Sequence, residues 1–117
     1  MAKILVVEDS SFQRNSIVKS LEDMGFDVVG VEDGTIALEE LVNKSYDLVI
    51  TDLTMPNVDG LILLEKLQND IGHIPTLVIT SREGSERECY DKGAREVIKK
   101  PYNKEDLQRI IGSILDR

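Results

Sequence analysis

Short apolar runs rich in Val and Ile end, one after another, on side chains able to do chemistry. ILVV (4–7) leads to Glu8 and Asp9, DLVI (47–50) through Thr51 to Asp52, TLVI (76–79) to Thr80 and Ser81, and EVI (96–98) to Lys99 and Lys100. If these runs are neighbouring parallel strands, about 4.8 Å apart, then residues at similar heights share one site. Three carboxylates, a hydroxyl and an ammonium would then meet at one edge of a sheet. Carboxylates that close repel, and one must hold a proton unless a cation is present. A hard divalent ion relieves this, and Mg²⁺ in particular takes one or two carboxylates together with waters and phosphate oxygens. Lys100 adds positive charge on the opposite side. Such a constellation stabilises charge on a transferring phosphoryl group, where catalysis is mostly positioning and electrostatics. Asp52 is the best nucleophile candidate, because a carboxylate can accept a phosphoryl group as an acyl phosphate.

Each residue also has a plainer explanation. Glu32-Asp33, after another strand-like run, reads as an edge or turn pair. Asp9, followed by Ser10-Ser11, could only be capping a helix. Thr80 alone is more often a turn residue than a catalytic one. Their joint occurrence at four strand ends favours the functional reading. His73, in NDIGHIP, has no second His or Cys nearby and is not expected to bind a metal or carry a phosphate. Cys89 is expected to be a partly buried helix contact.

The elements that must hold these side chains alternate strictly. DVVGV (27–31) completes a set of five short, apolar runs, as expected of parallel strands covered on both faces. Between them lie stripes of helical spacing: Ile17, Val18, Leu21 and Met24, closed by Gly25; Ile36, Ala37, Leu38, Leu41 and Val42; Leu61, Leu64 and Leu67; and Leu107, Ile110, Ile111, Ile114 and Leu115. Gly112 inside the last should cost about 1 kcal/mol against Ala. GSERECYDKG (84–93) offers only Cys89 and Tyr90 as apolar anchors, which predicts a short, loosely held helix. The pattern is (βα)₅: a doubly wound α/β sheet with right-handed crossovers and helices on both faces.

Size and charge agree with one unit spanning residues 1–117, with no linker or repeat. Met1 directly before the first strand is expected of a complete chain. Apolar residues make up 41% and charged residues 31%, too apolar a balance for disorder. No apolar run is long enough for a transmembrane helix, and no signal-peptide pattern opens the chain, so no membrane association is expected. A single cysteine excludes an internal disulfide and fits a reducing cytoplasm. The net charge of −8 argues against nucleic acid as a partner. Basic residues are unevenly spread: seven of the fourteen fall between Arg82 and Lys104, against five of the twenty-two acidic ones.

The acidic pair Glu8-Asp9, the strand and turn DLVITDLTMPNVDG, the VITS strand and the Lys100-Pro101 dipeptide together resemble the receiver domain of two-component response regulators, in order and spacing, over essentially the whole chain. The resemblance implies a flavodoxin-like fold of strand order 2-1-3-4-5. It implies that Asp52 takes a phosphoryl group from a phosphohistidine on a sensor histidine kinase or phosphotransfer protein. Asp9, Asp52 and the Thr54 carbonyl would ligate Mg²⁺, with Glu8 acting through a metal-bound water. Lys100 and Thr80 would contact the phosphoryl oxygens, Thr54 and Arg82 would tune acyl-phosphate lifetime, and Lys100-Pro101 would be cis. One departure is Val97, where the family usually has Tyr or Phe. A side chain with one χ angle cannot swing as a ring does, so the signal is expected to pass through the 81–93 loop and weak helix.

The implied role is a signalling module that promotes only its own phosphorylation and dephosphorylation and meets a downstream target through residues 84–117. A monomer is expected, with dimerisation open on phosphorylation. Two rivals compete. A Mg²⁺-dependent aspartyl-phosphate phosphatase needs a second Asp two residues after the nucleophile, where this chain has Thr54. A flavin or nucleotide binder needs a Gly-rich phosphate loop after the first strand, where EDSSFQR stands instead.

Overall fold

The computed structural model describes residues 2–53, 60–71 and 74–116, with residues 70 and 71 described by backbone alone. Five strands form one parallel sheet: β1 (Lys3–Val7), β2 (Asp27–Val31), β3 (Leu48–Thr51), β4 (Thr76–Thr80) and β5 (Glu96–Lys99). Their order is β2-β1-β3-β4-β5, the flavodoxin-like arrangement that the family resemblance implies. The connecting helices are α1 (Ser11–Asp23), α2 (Gly34–Asn43), α3 (Gly60–Lys66), α4 (Glu86–Asp91) and α5 (Lys104–Leu115). A π-helical turn, Leu67–Ile71, prolongs α3.

Period-two alternation divides each strand between two layers. Ile4 and Val6 of β1 pack with Ile50, Ile79, Ile17, Leu21, Leu107 and Ile111, which places α1 and α5 on one face. Leu5 and Val7 pack with Val49, Ala37, Leu41, Leu63 and Leu67 under α2 and α3 on the other. A smaller cluster of Leu53, Leu64, Val78, Cys89 and Ala94 seats α4. Each central strand is thereby buried on both faces, and so it reads as a continuous apolar run.

Several local expectations shift. Val42 is 74% exposed, since it lies about 100° round the helix from buried Leu41. Leu63, outside the expected α3 stripe, is fully buried, because α3 touches two clusters rather than one. Asp47 stands just before β3, where its carboxylate accepts from the Lys3 amide at 2.8 Å and its own amide donates to the Lys3 carbonyl. Asp33 is the N-cap of α2, accepting from the Ile36 amide at 2.9 Å. Helix α4 is short, as expected, and Cys89 alone is buried in it; Tyr90 is 46% exposed and Ser85 makes no side-chain cap bond. Gly25 adopts φ 96°, the left-handed conformation that ends α1 without a Cβ clash. His73 lies outside the described residues.

Candidate functional site

Strand register sets the heights of the reactive groups. Val7 pairs with Thr51, so the next residues along, Glu8 and Asp52, leave the sheet at the same level. Thr80 pairs with Lys99, which carries Lys100 one step beyond the end of β4. Two further bonds hold these ends together: the Asp52 amide donates to the Val7 carbonyl at 3.3 Å, and the Lys100 amide to the Thr80 carbonyl at 2.8 Å. The Thr51 hydroxyl donates to the Asp52 carbonyl at 2.9 Å. After β3 the chain doubles back so closely that the Gly60 amide donates to the Leu53 carbonyl at 2.7 Å. A Cβ on Gly60 would lie 2.7 Å from Leu53 Cα and closer still to the Asp52 carbonyl oxygen. Only glycine fits there, at the first residue of α3. The Lys100-Pro101 bond is cis, as the resemblance implies.

The side chains converge. Lys100 Nζ lies 3.1 Å from Asp52 Oδ2 and 3.5 Å from Glu8 Oε1. Oxygens of Glu8, Asp9 and Asp52 all lie within 4.8 Å of one another. Glu8 is buried, Asp52 and Lys100 are half-buried, and Asp9 is exposed at the rim. The capping role open to Asp9 falls instead to Ser10, whose hydroxyl accepts from the Gln13 amide at 3.2 Å. Thr80 is buried, and its hydroxyl accepts from the Arg82 amide at 2.9 Å, a turn bond at the mouth of the site. Thr54 lies outside the described residues, as do Met55 and Pro56. Val97 is half-buried against the cluster that seats α4.

Burial pushes the Glu8 carboxyl above its usual value; the Ser10 amide and Lys100 pull the other way, while Asp9 and Asp52 add to the rise. Burial lowers the Lys100 ammonium, but Asp52 and Glu8 outweigh it and the group sits above its ordinary value. Two of the three clustered carboxylates thus share one ammonium, and the buried one is driven toward taking a proton. That frustration, with an all-oxygen donor set, fits a hard divalent cation such as Mg²⁺.

Sequence reasoning missed two contributors. Arg14 Nη1 donates to the Glu8 carbonyl at 2.8 Å and ties α1 to the end of β1. Gln13 Oε1 accepts from Lys100 Nζ at 2.6 Å. The Ser10-x-x-Gln13 spacing, that of a helix capping box, was the signal available for it. Next to these residues a groove of about 450 Å³ is lined by Phe12, Ile17, Pro101 and Tyr102 among others and reaches Lys100. Phe12 is 83% exposed.

With fold and site described, the comparisons with known proteins agree. The family model of the response regulator receiver domain matches residues 4–112. The chain belongs to this family and is a receiver domain of two-component signalling. It is 36% identical to response regulator MprA of Mycobacterium sp. (strain KMS) over 98% of this chain and 51% of that protein. It thus spans about half the length of this relative. The receiver domain of the Francisella response regulator 1452 shares the fold, with a TM-score of 0.94 at 24% identity over 100% of this chain and 98% of the other. The receiver domain of sensor histidine kinase PA1611 of Pseudomonas aeruginosa PAO1, with magnesium coordinated in its active-site cleft, matches with a TM-score of 0.89 at 27% identity, over 99% and 98% of the two chains. Among the described residues no helix is long and apolar enough to cross a membrane.

Proposed function

We propose that this receiver domain accepts a phosphoryl group on Asp52 from a phosphohistidine of a sensor histidine kinase or phosphotransfer protein, and that the modification alters how it binds a downstream partner. The observation that carries the reading is the Lys100 ammonium bridging Asp52 and Glu8, 3.1 and 3.5 Å away, at the edge where the three carboxylates meet. In the transfer an Asp52 carboxylate oxygen attacks phosphorus and forms a P–O bond. The P–N bond to the imidazole breaks, its electron pair stays on that nitrogen, and the ring regains a proton. Lys100 passes from the carboxylate to a phosphoryl oxygen. Thr80 donates its hydroxyl proton to another, a bond open to it because the hydroxyl at present serves as an acceptor.

Asp9 and Asp52 would hold Mg²⁺, with the Thr54 carbonyl as the further ligand the family implies and Glu8 acting through a metal-bound water; when bound, the ion neutralises charge on the transferring group. Thr54 stands where an aspartyl-phosphate phosphatase needs its second Asp, so the chain promotes only its own phosphorylation and dephosphorylation. The exposed Phe12 beside Lys100 supports an apolar docking surface for the donor at this rim. Residues 84–117 form the face proposed for the downstream target, on a monomer for which dimerisation is left open on phosphorylation. We take residues 1–117 as one unit acting in the cytoplasm, without nucleic acid or membrane as a direct partner.

The test is incubation with a small phosphodonor and Mg²⁺, followed by mass measurement. One added phosphoryl group is expected, labile in base and absent from Asp52→Ala. Modification that persists in that variant would refute the assignment.

A further inference from the structure

The Ser10-x-x-Gln13 segment is half of a capping box. In the full motif the N-cap hydroxyl accepts from the N3 amide, while the N3 side chain reaches back to the N-cap amide. The first half is present, since Ser10 Oγ accepts from the Gln13 amide at 3.2 Å. The second is not, because the Ser10 amide already donates to Glu8 Oε2 at 3.0 Å. The Gln13 side chain is thereby released from α1 and turns to Lys100, 87 residues away in sequence. An ammonium can only donate, so Gln13 must present its amide oxygen.

An ammonium has three protons, and here it meets three acceptors: Gln13 Oε1 at 2.6 Å, Asp52 Oδ2 at 3.1 Å and Glu8 Oε1 at 3.5 Å. The shortest of these bonds goes to the one neutral partner. Coulomb attraction alone would draw the group onto the carboxylates, as charged acceptors make the shorter and stronger bonds. Its observed place, nearer to Gln13 than to either carboxylate, points to a restraint on that side. We infer that Gln13 is a positioning residue, holding the Lys100 ammonium on the α1 side of the pocket so that Glu8 and Asp52 stay open to a divalent cation on the Asp9 side. The inference builds on the phosphoacceptor reading for its purpose, but the restraint on Lys100 stands apart from it. Without Gln13 the ammonium closes in on Glu8 and Asp52, which it already bridges at 3.5 and 3.1 Å, and competes more strongly with the cation for them.

The test is Mg²⁺ affinity, measured by titration of backbone amide NMR signals in wild type, Gln13→Ala, Gln13→Glu, Lys100→Ala and the double variant Gln13→Ala/Lys100→Ala. Gln13→Ala should weaken Mg²⁺ about 3- to 10-fold, whereas Gln13→Glu, which keeps an acceptor at the same reach, should not. In the Lys100→Ala background, removing Gln13 should have no effect, since the two act as one coupled pair. An equal loss with and without Lys100 would overturn the proposal. A second measurement needs no metal: the Lys100 ammonium proton signal should be visible at low temperature in wild type and Gln13→Glu and be lost to solvent exchange in Gln13→Ala. A signal unchanged in Gln13→Ala would refute the restraint, whatever the protein does with phosphate. Failure of wild type to bind Mg²⁺ would instead count against the proposed function, leaving the ammonium signal to decide the role of Gln13.

Discussion

Gly60 gives the most direct test of how backbone geometry holds the phosphoacceptor. Replacing it with Ala puts a methyl group 2.7 Å from Leu53 Cα, where ordinary contact begins at 3.4 Å. Both crowded groups are backbone, so the chain must shift by at least about 0.7 Å, and no side chain can swing aside instead. Overpacking of this kind costs about 1–3 kcal/mol, offset by at most about 1 kcal/mol from the better helix preference of Ala. The net loss should lower the thermal midpoint by several degrees, at about 4–8 °C per kcal/mol for a domain near this size. The moved atoms carry Asp52, and a misplacement near 1 Å can cost about 100-fold in a reaction that depends on alignment. Phosphorylation from a small donor should therefore slow by about 10- to 100-fold, read as the rate of mass increase under conditions where both proteins are folded. Gly112→Ala is the control, since a Cβ there meets nothing within 4 Å; it should gain up to about 1 kcal/mol and leave the rate unchanged. A Gly60→Ala protein that melts with wild type and is modified as fast would refute the close-approach argument.

Two further outcomes follow from other parts of the molecule. Phe12→Ala should slow transfer from a phosphohistidine protein by about 10-fold, the scale of losing an aromatic anchor, and slow transfer from a small donor far less; equal slowing with both donors would place Phe12 in the chemistry and not in docking. At the far end of the sheet, the Tyr46 hydroxyl donates to Glu40 Oε1 at 2.6 Å, and that bond, with Lys44 adding to it against a smaller effect of burial, holds the Glu40 carboxyl below its ordinary value. A depressed folded value means stabilisation that is present above the unfolded value and lost as pH falls through the folded one. Tyr46→Phe should accordingly melt lower than wild type at neutral pH, with the gap narrowing as acid protonates Glu40; a gap constant across an acid series of thermal melts would contradict this.

The alternation of apolar runs and helical stripes made the parallel sheet and both helical layers legible, because buried parallel strands leave no polar face to confuse the pattern, whereas the strand order followed only from the family resemblance. The convergence of Glu8, Asp9, Asp52 and Lys100 was legible for a related reason: each follows such a run, where the chain leaves the sheet at one edge. What the sequence hid depends on contacts between distant parts of the chain. Asp33 and Asp9 both sit near a helix start, and only the folded backbone decides that Asp33 accepts from the Ile36 amide while Ser10, and not Asp9, accepts from the Gln13 amide. The capping-box spacing marks Gln13 but not its partner, which depends on the Glu8 carboxylate occupying the Ser10 amide. Val42 and Leu63 went astray because helical period alone does not show how wide a stripe the neighbouring elements will cover.

The contact between Glu8 and Lys100 joins residues 92 apart in sequence. A polypeptide emerging from the ribosome displays its acids long before the counter-charge that organises them has been made. Until the fifth strand docks, those acids surround no ammonium, and a donor arriving early meets a disassembled pocket. In the function proposed above, competence to receive a signal is thus tied to completion of the sheet.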